Sequence, residues 1–478
     1  MKYIFICLSL CLIFGCSKDP SKITAPPKPI VEEKRTDAQK LLDSVYYHYK
    51  YLSLWESSIE QADPISSLTD KYTDSNVLLR YLKNQTPVKS DFVFHKEYAG
   101  AIDRFSWIEE LTSISANSSK ADVADGYGVF LTFDPSRGDS LFVYFVEGGS
   151  PGFKSAVYRG DKILQMNGDK NMVYANRFKI ESYLSDSKLE LITENIAHQK
   201  KTHALTYTTY TIDPVLKSTT FQQASKNIGY LALSSFEEIE NESGSKTPLF
   251  NALESIFSQF KAKNISDLIV DFRYNTGGYV STAIYLNNKI INSAGNGKLM
   301  FSYEVNKNLE IERENGDQNF IPEIFKRNNS TEIKNVYFLV SDMTASASEI
   351  VISALKPYLN VQIIAEYQST YGKPVGFFRE DIMGEIGLWA ASFKIVNAAG
   401  FTDYWDGIAA NKSNVLDNIY LPLGDPQENM IKTALTHIST GSYSNSKTAA
   451  RASALTTETV QERKKYVNRL HQRNLLKD

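Results

Sequence analysis

Cysteine is scarce in this 478-residue chain, and the positions of its cysteines exclude several kinds of site. The three cysteines are Cys7, Cys11 and Cys16, all close to the N-terminus. The remainder of the chain therefore offers no disulfide, no cysteine-based metal site and no cysteine nucleophile.

An excess of basic residues is missing as well. With a formal net charge of -3, the chain has no basic surplus to meet nucleic-acid phosphates, so we expect no nucleic-acid partner.

Histidine, the usual general base of serine hydrolases, is also rare. It occurs at positions 48, 95, 198, 203, 437 and 471, and none of these follows a predicted strand of the α/β part of the chain. A mechanism that pairs a serine nucleophile with a histidine base would need His95 or another histidine close to that serine. The spacing of the histidines in the sequence does not suggest one. If the chain is a serine hydrolase, a different base is expected.

The N-terminus carries the one long apolar run. Residues 3–14 are apolar, follow Lys2 and end at Gly15 and Cys16. The run is too short to span a bilayer and has the charged start of a secretory signal. Its end, IFGC, resembles a bacterial lipobox, which implies a signal peptide at residues 1–15 and lipidation of Cys16. The implied protein is anchored to the outer membrane of a bacterial envelope, on its periplasmic or surface face. A cleaved secretory signal with a chance cysteine is the alternative.

Changes of composition divide the remainder of the chain. Prolines and polar residues after Cys16 predict an extended tether, and apolar residues at helical spacing follow Thr36, a plausible N-cap. The predicted segments are a tether at 16–35, a small helical N-terminal region at 36–117, a β-rich domain at 118–213, an α/β core at 214–440 and a C-terminal tail at 441–478.

The β-rich segment contains a recognisable succession of turns and strands. It begins with Gly126-Tyr127-Gly128 before an apolar strand, and continues with the turn GGSPG at 148–152 and the stretch YRGDKILQMNG at 158–168. This order resembles a PDZ domain, in which an extended peptide end adds to a sheet edge. The resemblance implies that backbone N–H groups of residues 126–128 hold a terminal carboxylate. Two ordinary turn glycines are the alternative.

The α/β segment alternates continuous apolar strands with helical stretches, the first of which begins at Thr247-Pro248. Such alternation predicts a parallel sheet covered on both faces, with its site at the carboxyl ends of the strands. The sequences NTGG (275–278) and SDMTASASEI (341–350) both follow strand ends. The predicted strands cover residues 228–233, 268–270, 336–340 and 361–365.

Two side chains stand out as candidates for nucleophilic catalysis. Ser346 opens a predicted helix directly after a strand, although Ser346 and Glu349 also fit a capping box, and the two interpretations are compatible. Ser348 is the rival nucleophile. Lys373, within TYGKPVG, follows the next strand, and burial could lower the pKa of its ammonium group enough to make it a base. A surface lysine in a turn is the alternative.

Together these motifs resemble one family. The serine turn TASASE, the strand end DFRYNTGG and the turn TYGK occur in this order behind the PDZ-like segment. They are similar to the C-terminal processing peptidases, or tail-specific proteases, over residues 95–440. The resemblance implies an α/β core of Clp protease/crotonase-like type with a PDZ-like domain. It also implies a serine endopeptidase with Ser346 as nucleophile and Lys373 as general base.

The same resemblance implies the remaining site residues. Glu349 would orient Lys373, a backbone N–H of Gly277 or Gly278 would form the oxyanion hole with that of Ala347, and no metal or organic cofactor would be needed. The substrate would be an unfolded or C-terminally exposed polypeptide. Pro374 and the stretch GIAAN (407–411) depart from the family pattern. A catalytically silent lipoprotein that scaffolds peptides is the alternative function.

Overall fold

The computed structural model describes residues 35–111, 123–223, 225–241 and 243–443. The predicted signal peptide, the lipidation site Cys16, most of the tether and most of the tail lie outside these residues. Among the described residues, no helix is both long and apolar enough to cross a membrane. The α-helices are α1 (Asp37–Leu52), α2 (Ser66–Thr69), α3 (Ser75–Lys83), α4 (Pro151–Lys154), α5 (Arg177–Tyr183), α6 (Pro248–Ala262), α7 (Val280–Ile290), α8 (Lys307–Glu314), α9 (Ala347–Leu355) and α10 (Asn429–Thr440).

Within the part of the chain that the structure describes, strands form three larger sheets and two short two-stranded ones. The strands are β1 (Val88–Lys89), β2 (Gly100–Ala101), β3 (Trp107–Glu110), β4 (Val123–Gly126), β5 (Val129–Asp134), β6 (Ser140–Val146), β7 (Lys162–Met166), β8 (Lys188–Glu194), β9 (Lys200–Thr206), β10 (Thr208–Thr211), β11 (Val215–Gln223), β12 (Lys226–Leu233), β13 (Asp267–Asp271), β14 (Leu299–Val305), β15 (Glu323–Ile324), β16 (Asn335–Val340), β17 (Asn360–Ala365), β18 (Val375–Ile382) and β19 (Ile386–Asn397).

The central sheet has the order β11-β12-β13-β16-β17. Strands β12, β13, β16 and β17 are mutually parallel, and β11 pairs antiparallel at one edge. Alternate residues of each strand enter different cores: Leu231 packs in the cluster that contains α6, α7 and α9, whereas Tyr230 packs in the cluster that contains α10. Both faces are therefore covered, which explains the continuous apolar strands and confirms the parallel sheet that the sequence predicted.

Two predicted helix starts are present. The Thr36 side chain accepts a hydrogen bond from the Gln39 N–H, and Gln39 completes a capping box at the start of α1. The Thr247 side chain accepts from the Phe250 N–H at the start of α6, where Pro248 is the first helical residue. In both cases a hydroxyl satisfies an N–H group that has no partner within the helix.

A second sheet, of order β15-β14-β19-β18, packs beside the central one, and β3 pairs antiparallel with β19. Strand β3 lies in the segment predicted to be a helical N-terminal region. Trp107 of β3 pairs with Trp389 of β19, and their rings stack with centroids 5.1 Å apart. The N-terminal region therefore contributes a strand as well as helices, and its partner strand lies more than 270 residues away in the sequence.

The third sheet, of order β5-β6-β7-β8-β9, encloses its own apolar core and leaves β5 at an edge. A buried ionic network ties this sheet to the central one. Arg159, just before β7, lies 2.5 Å from Asp417, and the same carboxylate lies 2.7 Å from Arg273, which directly follows β13. Because all three side chains are almost completely buried, the shared Asp417 carboxylate offsets part of the loss of hydration of both arginines.

Candidate active site

The candidate catalytic loops follow two neighbouring parallel strands, β13 and β16, so they meet at one edge of the sheet. Hydrogen bonds join them directly. The Thr344 hydroxyl donates to the Phe272 carbonyl at 2.8 Å, and the Ala345 N–H donates to the Asn275 carbonyl at 3.3 Å. The strand-end motif DFRYNTGG therefore holds the serine turn in place.

Ser346 sits at the N-cap of α9 in an unusual backbone conformation. Its φ of 57° and ψ of -118° lie in a region that residues other than glycine rarely adopt. Such strain persists only where surrounding contacts hold it, and it is concentrated at functional sites. The Ser346 N–H donates to the Glu349 carboxylate at 3.0 Å, which is the glutamate part of the predicted capping box.

The rival nucleophile, Ser348, occupies a different environment. It is completely buried, and its hydroxyl donates to the Asn275 carbonyl at 3.3 Å. Ser346, in contrast, is partly exposed. Ser348 therefore braces the two loops against each other and is not placed to meet a substrate.

Glu349 is the residue on which the two candidate turns converge. Its fully buried carboxylate accepts from the N–H groups of Ser346 (3.0 Å), Gly372 (2.8 Å) and Lys373 (2.9 Å) and from the Thr370 hydroxyl (2.5 Å). Burial raises the pKa of Glu349, and these donors oppose that rise. One carboxylate therefore fixes both the serine turn and the lysine turn, and it holds Lys373 through the main chain.

Lys373 lies just before β18 with its side chain buried; the residue is 5% exposed. Its Nζ lies 4.5 Å from the centre of the Phe377 ring and 5.9 Å from that of Trp107. Burial lowers the pKa of Lys373 to about 8, although the nearby Glu349 carboxylate opposes the shift and the Arg104 cation adds to it. A neutral amine is therefore accessible slightly above neutral pH, as a general base requires.

Gly277 and Ala347 lie beside Ser346, and Gly278 follows Gly277 in the chain, but the N–H groups of these predicted oxyanion donors are not equivalent. A Cβ on Gly277 would lie 2.8 Å from the Ser346 Cβ and 3.2 Å from the Ala347 nitrogen. The Gly277 N–H donates to the Asn275 side chain at 2.9 Å. Within the described parts of the chain, the N–H groups of Gly278 and Ala347 have no such partner. This difference favours Gly278 with Ala347 for the predicted oxyanion hole.

The predicted peptide-binding residues belong to another part of the fold. Gly126 ends β4, and Gly128 directly precedes the edge strand β5. Gly128 has a φ of +62°, and a Cβ there would lie 2.2 Å from the Ser150 Cβ. Tyr127 is buried, and its carbonyl accepts from the Gly152 N–H at 2.8 Å. Glycine at 128 is therefore required by close packing, and the structure does not bring residues 126–128 into contact with Ser346.

The N-terminal region also forms one wall of the site, which the sequence did not predict. His95 Nε2 lies 2.9 Å from the Thr370 carbonyl and 3.2 Å from the Ser369 hydroxyl. Because a carbonyl can only accept, this nitrogen carries the hydrogen and is not a proton acceptor for Ser346. Arg104 Nη2 donates to the Gly372 carbonyl at 2.8 Å. Only folding brings His95 and Arg104 to this turn, since both lie more than 260 residues away in the sequence.

The described residues contain no group of three or more histidine, cysteine, aspartate or glutamate side chains that could hold a metal ion.

Comparisons with known proteins match part of the chain to a peptidase family. The model of peptidase family S41 matches residues 227–389, which include both strand-end loops and the lysine turn. The carboxy-terminal processing protease CtpA of Bacillus subtilis (strain 168) is 25% identical over 249 residues, which are 52% of this chain and 47% of that protein. The match thus spans about half the length of that relative.

A solved structure shows the same fold over most of the chain. The crystal structure of a candidate S41 protease from Bacteroides fragilis NCTC 9343 is similar with a TM-score of 0.62 and 21% identity. The similarity covers 86% of this chain and 100% of that structure. The mixed α/β fold is therefore an S41 peptidase-like fold. Residues 227–389 therefore form a peptidase family S41 domain, in agreement with the family that the motifs resemble.

Proposed function

We propose that this protein is a serine endopeptidase in which Ser346 is the nucleophile and Lys373 the general base. The observation that carries the proposal is the buried Glu349 carboxylate, which accepts hydrogen bonds from the backbone of both residues. The lowered pKa of Lys373 supports the same assignment, because a neutral lysine can accept a proton where an ammonium group cannot.

The proposed reaction proceeds through an acyl-enzyme. Neutral Lys373 accepts the hydroxyl proton of Ser346 as Oγ attacks the scissile carbonyl carbon. The N–H groups of Gly278 and Ala347 stabilise the negative oxygen of the tetrahedral intermediate. The Lys373 ammonium then gives its proton to the leaving amine as the peptide bond breaks. Water, activated by the same lysine, hydrolyses the ester and restores Ser346.

The proposed substrates are unfolded or C-terminally exposed polypeptides. A PDZ-like domain at residues 118–213 would capture the chain end, with backbone N–H groups at Gly126, Tyr127 and Gly128 holding its carboxylate. The edge position of β5 supports this proposal, because an edge strand can pair with an extended peptide. If these N–H groups hold the carboxylate, a peptide with a free C-terminus should bind more tightly than its amidated form. The Clp protease/crotonase-like assignment of the core is also part of the proposal.

The proposed location is the bacterial cell envelope. Lipidation of Cys16 would tether the domains to the outer membrane through residues 16–35. Metabolic labelling with a fatty-acid analogue tests this proposal: the full-length chain should be labelled, and a Cys16→Ala variant should not. Labelling that survives the substitution would contradict the anchor.

Cleavage of casein tests the dyad. The chain without residues 1–16 should cleave casein between pH 6 and 10 with a rate that rises through one ionisation near pH 8, as the pKa of Lys373 requires. Ser346→Ala and Lys373→Ala should both abolish cleavage. Lys373→Arg should abolish it too, because arginine stays protonated. Cleavage that survives these substitutions would refute the site.

A serine-directed covalent probe separates the enzyme from the alternative of a silent peptide-binding scaffold. A fluorophosphonate should label the parent protein, and the label should disappear in Ser346→Ala. A protein that binds peptides but takes no label at any pH would favour the scaffold. The burial of Lys373, whose backbone N–H shares the Glu349 carboxylate with that of Ser346, argues against the scaffold, because burying a cation is costly and peptide binding does not require it.

A further inference from the structure

We infer that Arg104 is a positioning residue for Lys373: its guanidinium holds the lysine turn by a hydrogen bond to the Gly372 carbonyl and places a permanent positive charge at that turn. The inference rests on the proposed function, because it assigns a role within the same Ser346–Lys373 site. It goes beyond that function by placing a residue of the N-terminal region, outside the matched S41 segment, in control of the base.

Arg104 is held rigidly against the turn that carries Lys373. Its Nη2 donates to the Gly372 carbonyl at 2.8 Å and to the Trp405 carbonyl at 3.2 Å. The guanidinium carbon lies 4.2 Å from the centre of the Tyr98 ring and 4.3 Å from that of Phe105. The cation therefore packs against aromatic rings and is hydrogen-bonded to the residue that directly precedes the candidate base.

Two guanidinium nitrogens of Arg104 are buried without a hydrogen-bond partner among the described residues. These are Nε and Nη1. Aromatic faces attract a cation but accept no strong hydrogen bond, so the arrangement keeps the positive charge while leaving donors unpaired. A purely structural arginine would normally satisfy these donors with carbonyls or carboxylates. The presence of a buried Arg104 guanidinium with two unpaired donors is explained if its positive charge acts on a neighbouring ionisable group.

That neighbouring group is Lys373, on which two groups of opposite charge act. Glu349, from α9, attracts the protonated form, and Arg104, from the N-terminal region, repels it. From the strands β3 and β18 the lysine meets the apolar ring faces of Trp107 and Phe377. Arg104 thus offsets the effect of the Glu349 carboxylate on the pKa of Lys373. The carboxylate itself cannot be removed without losing the hydrogen bonds that hold both turns.

The pH dependence of Ser346 labelling tests this role in the full-length protein. The rate of reaction with a fluorophosphonate should rise with pH as Lys373 becomes neutral, with a midpoint near 8 in the parent. Arg104→Met and Arg104→Gln should both move the midpoint upward by on the order of one pH unit, because each removes the charge. The glutamine variant retains a donor for the Gly372 carbonyl. The plateau at high pH should recover most of the parental rate.

A matched control comes from Lys89, a cation in the same region that packs on Phe92 as Arg104 does but pairs with Asp91. Lys89→Met should leave the midpoint unchanged. An unchanged midpoint in both Arg104 variants would overturn the inference, and so would loss of folding in both, detected by thermal melting. An unlabelled parent would instead refute the proposed function itself, so the two failures are distinguishable.

Discussion

Replacing the candidate base by methionine should make the protein more stable while it abolishes activity. Lys373 is 5% exposed, and burial lowers its pKa from 10.5 to about 8. The buried ammonium group is therefore less favourable in the folded protein than in the unfolded chain. Methionine has a similar length and no charge, so Lys373→Met removes that penalty and keeps the packing against the neighbouring rings.

The size of the effect follows from the pKa difference. The pKa falls from 10.5 to about 8, by about 2.5 units. At about 1.4 kcal/mol per unit, the penalty is on the order of 3 kcal/mol. Below pH 8 the lysine is protonated in both states, so the folded protein bears the whole penalty. Between pH 8 and 10.5 only the unfolded chain holds the proton, so the parent gains stability as pH rises.

Urea denaturation of the parent and of Lys373→Met between pH 7 and 10.5 measures this difference. The variant should be more stable by roughly 3 kcal/mol at pH 7, and its advantage should shrink steadily above pH 8. Lys261→Met, at an exposed position on α6, is the control and should change stability little at any pH. A gap that does not depend on pH, or a less stable Lys373→Met, would refute the assignment of a buried lysine with a lowered pKa.

Three further substitutions test the supports of the site. Glu349→Gln should destabilise the protein by on the order of 3 kcal/mol in urea and stop casein cleavage, because its amide turns a donor toward N–H groups that need an acceptor. Gly277→Ala should abolish cleavage and leave the far-ultraviolet circular dichroism unchanged, since its Cβ would lie 2.8 Å from the Cβ of Ser346, the proposed nucleophile. Asp417→Asn should cost roughly 3 kcal/mol in the same urea assay, because Arg159 and Arg273 would lose their shared counter-ion. Stability unchanged by the first or third substitution, or full cleavage by the second, would contradict these contacts.

Much of the α/β architecture could be predicted because its signals are local. Continuous apolar strands of about six residues, separated by helical stretches, predict a doubly covered parallel sheet wherever they occur. The strand at residues 336–340 and the helix start at Thr247 were located to within a residue or two. The topology then placed the loops after β13 and β16 at one edge, so the prediction of a site there needed no side-chain detail.

The contacts that tune the site could not be predicted in this way. Arg104 reaches the lysine turn because β3 pairs with β19, and a four-residue strand carries too little periodicity to reveal its partner. The hydrogen bond from the Gly277 N–H to the Asn275 side chain could not be predicted either. The motif alone does not distinguish the N–H group of Gly277 from that of Gly278.

The sequence by itself therefore determined the resemblance to a peptidase family, the parallel sheet and the choice of Ser346 and Lys373 as candidates, because short motifs and local periodicity carry that information. Only the tertiary structure decided how far Lys373 is desolvated, and which charges face it. It also decided that Glu349 binds both turns at once. Burial and distance between segments hundreds of residues apart are properties of the folded chain, and the pKa of a base depends on both.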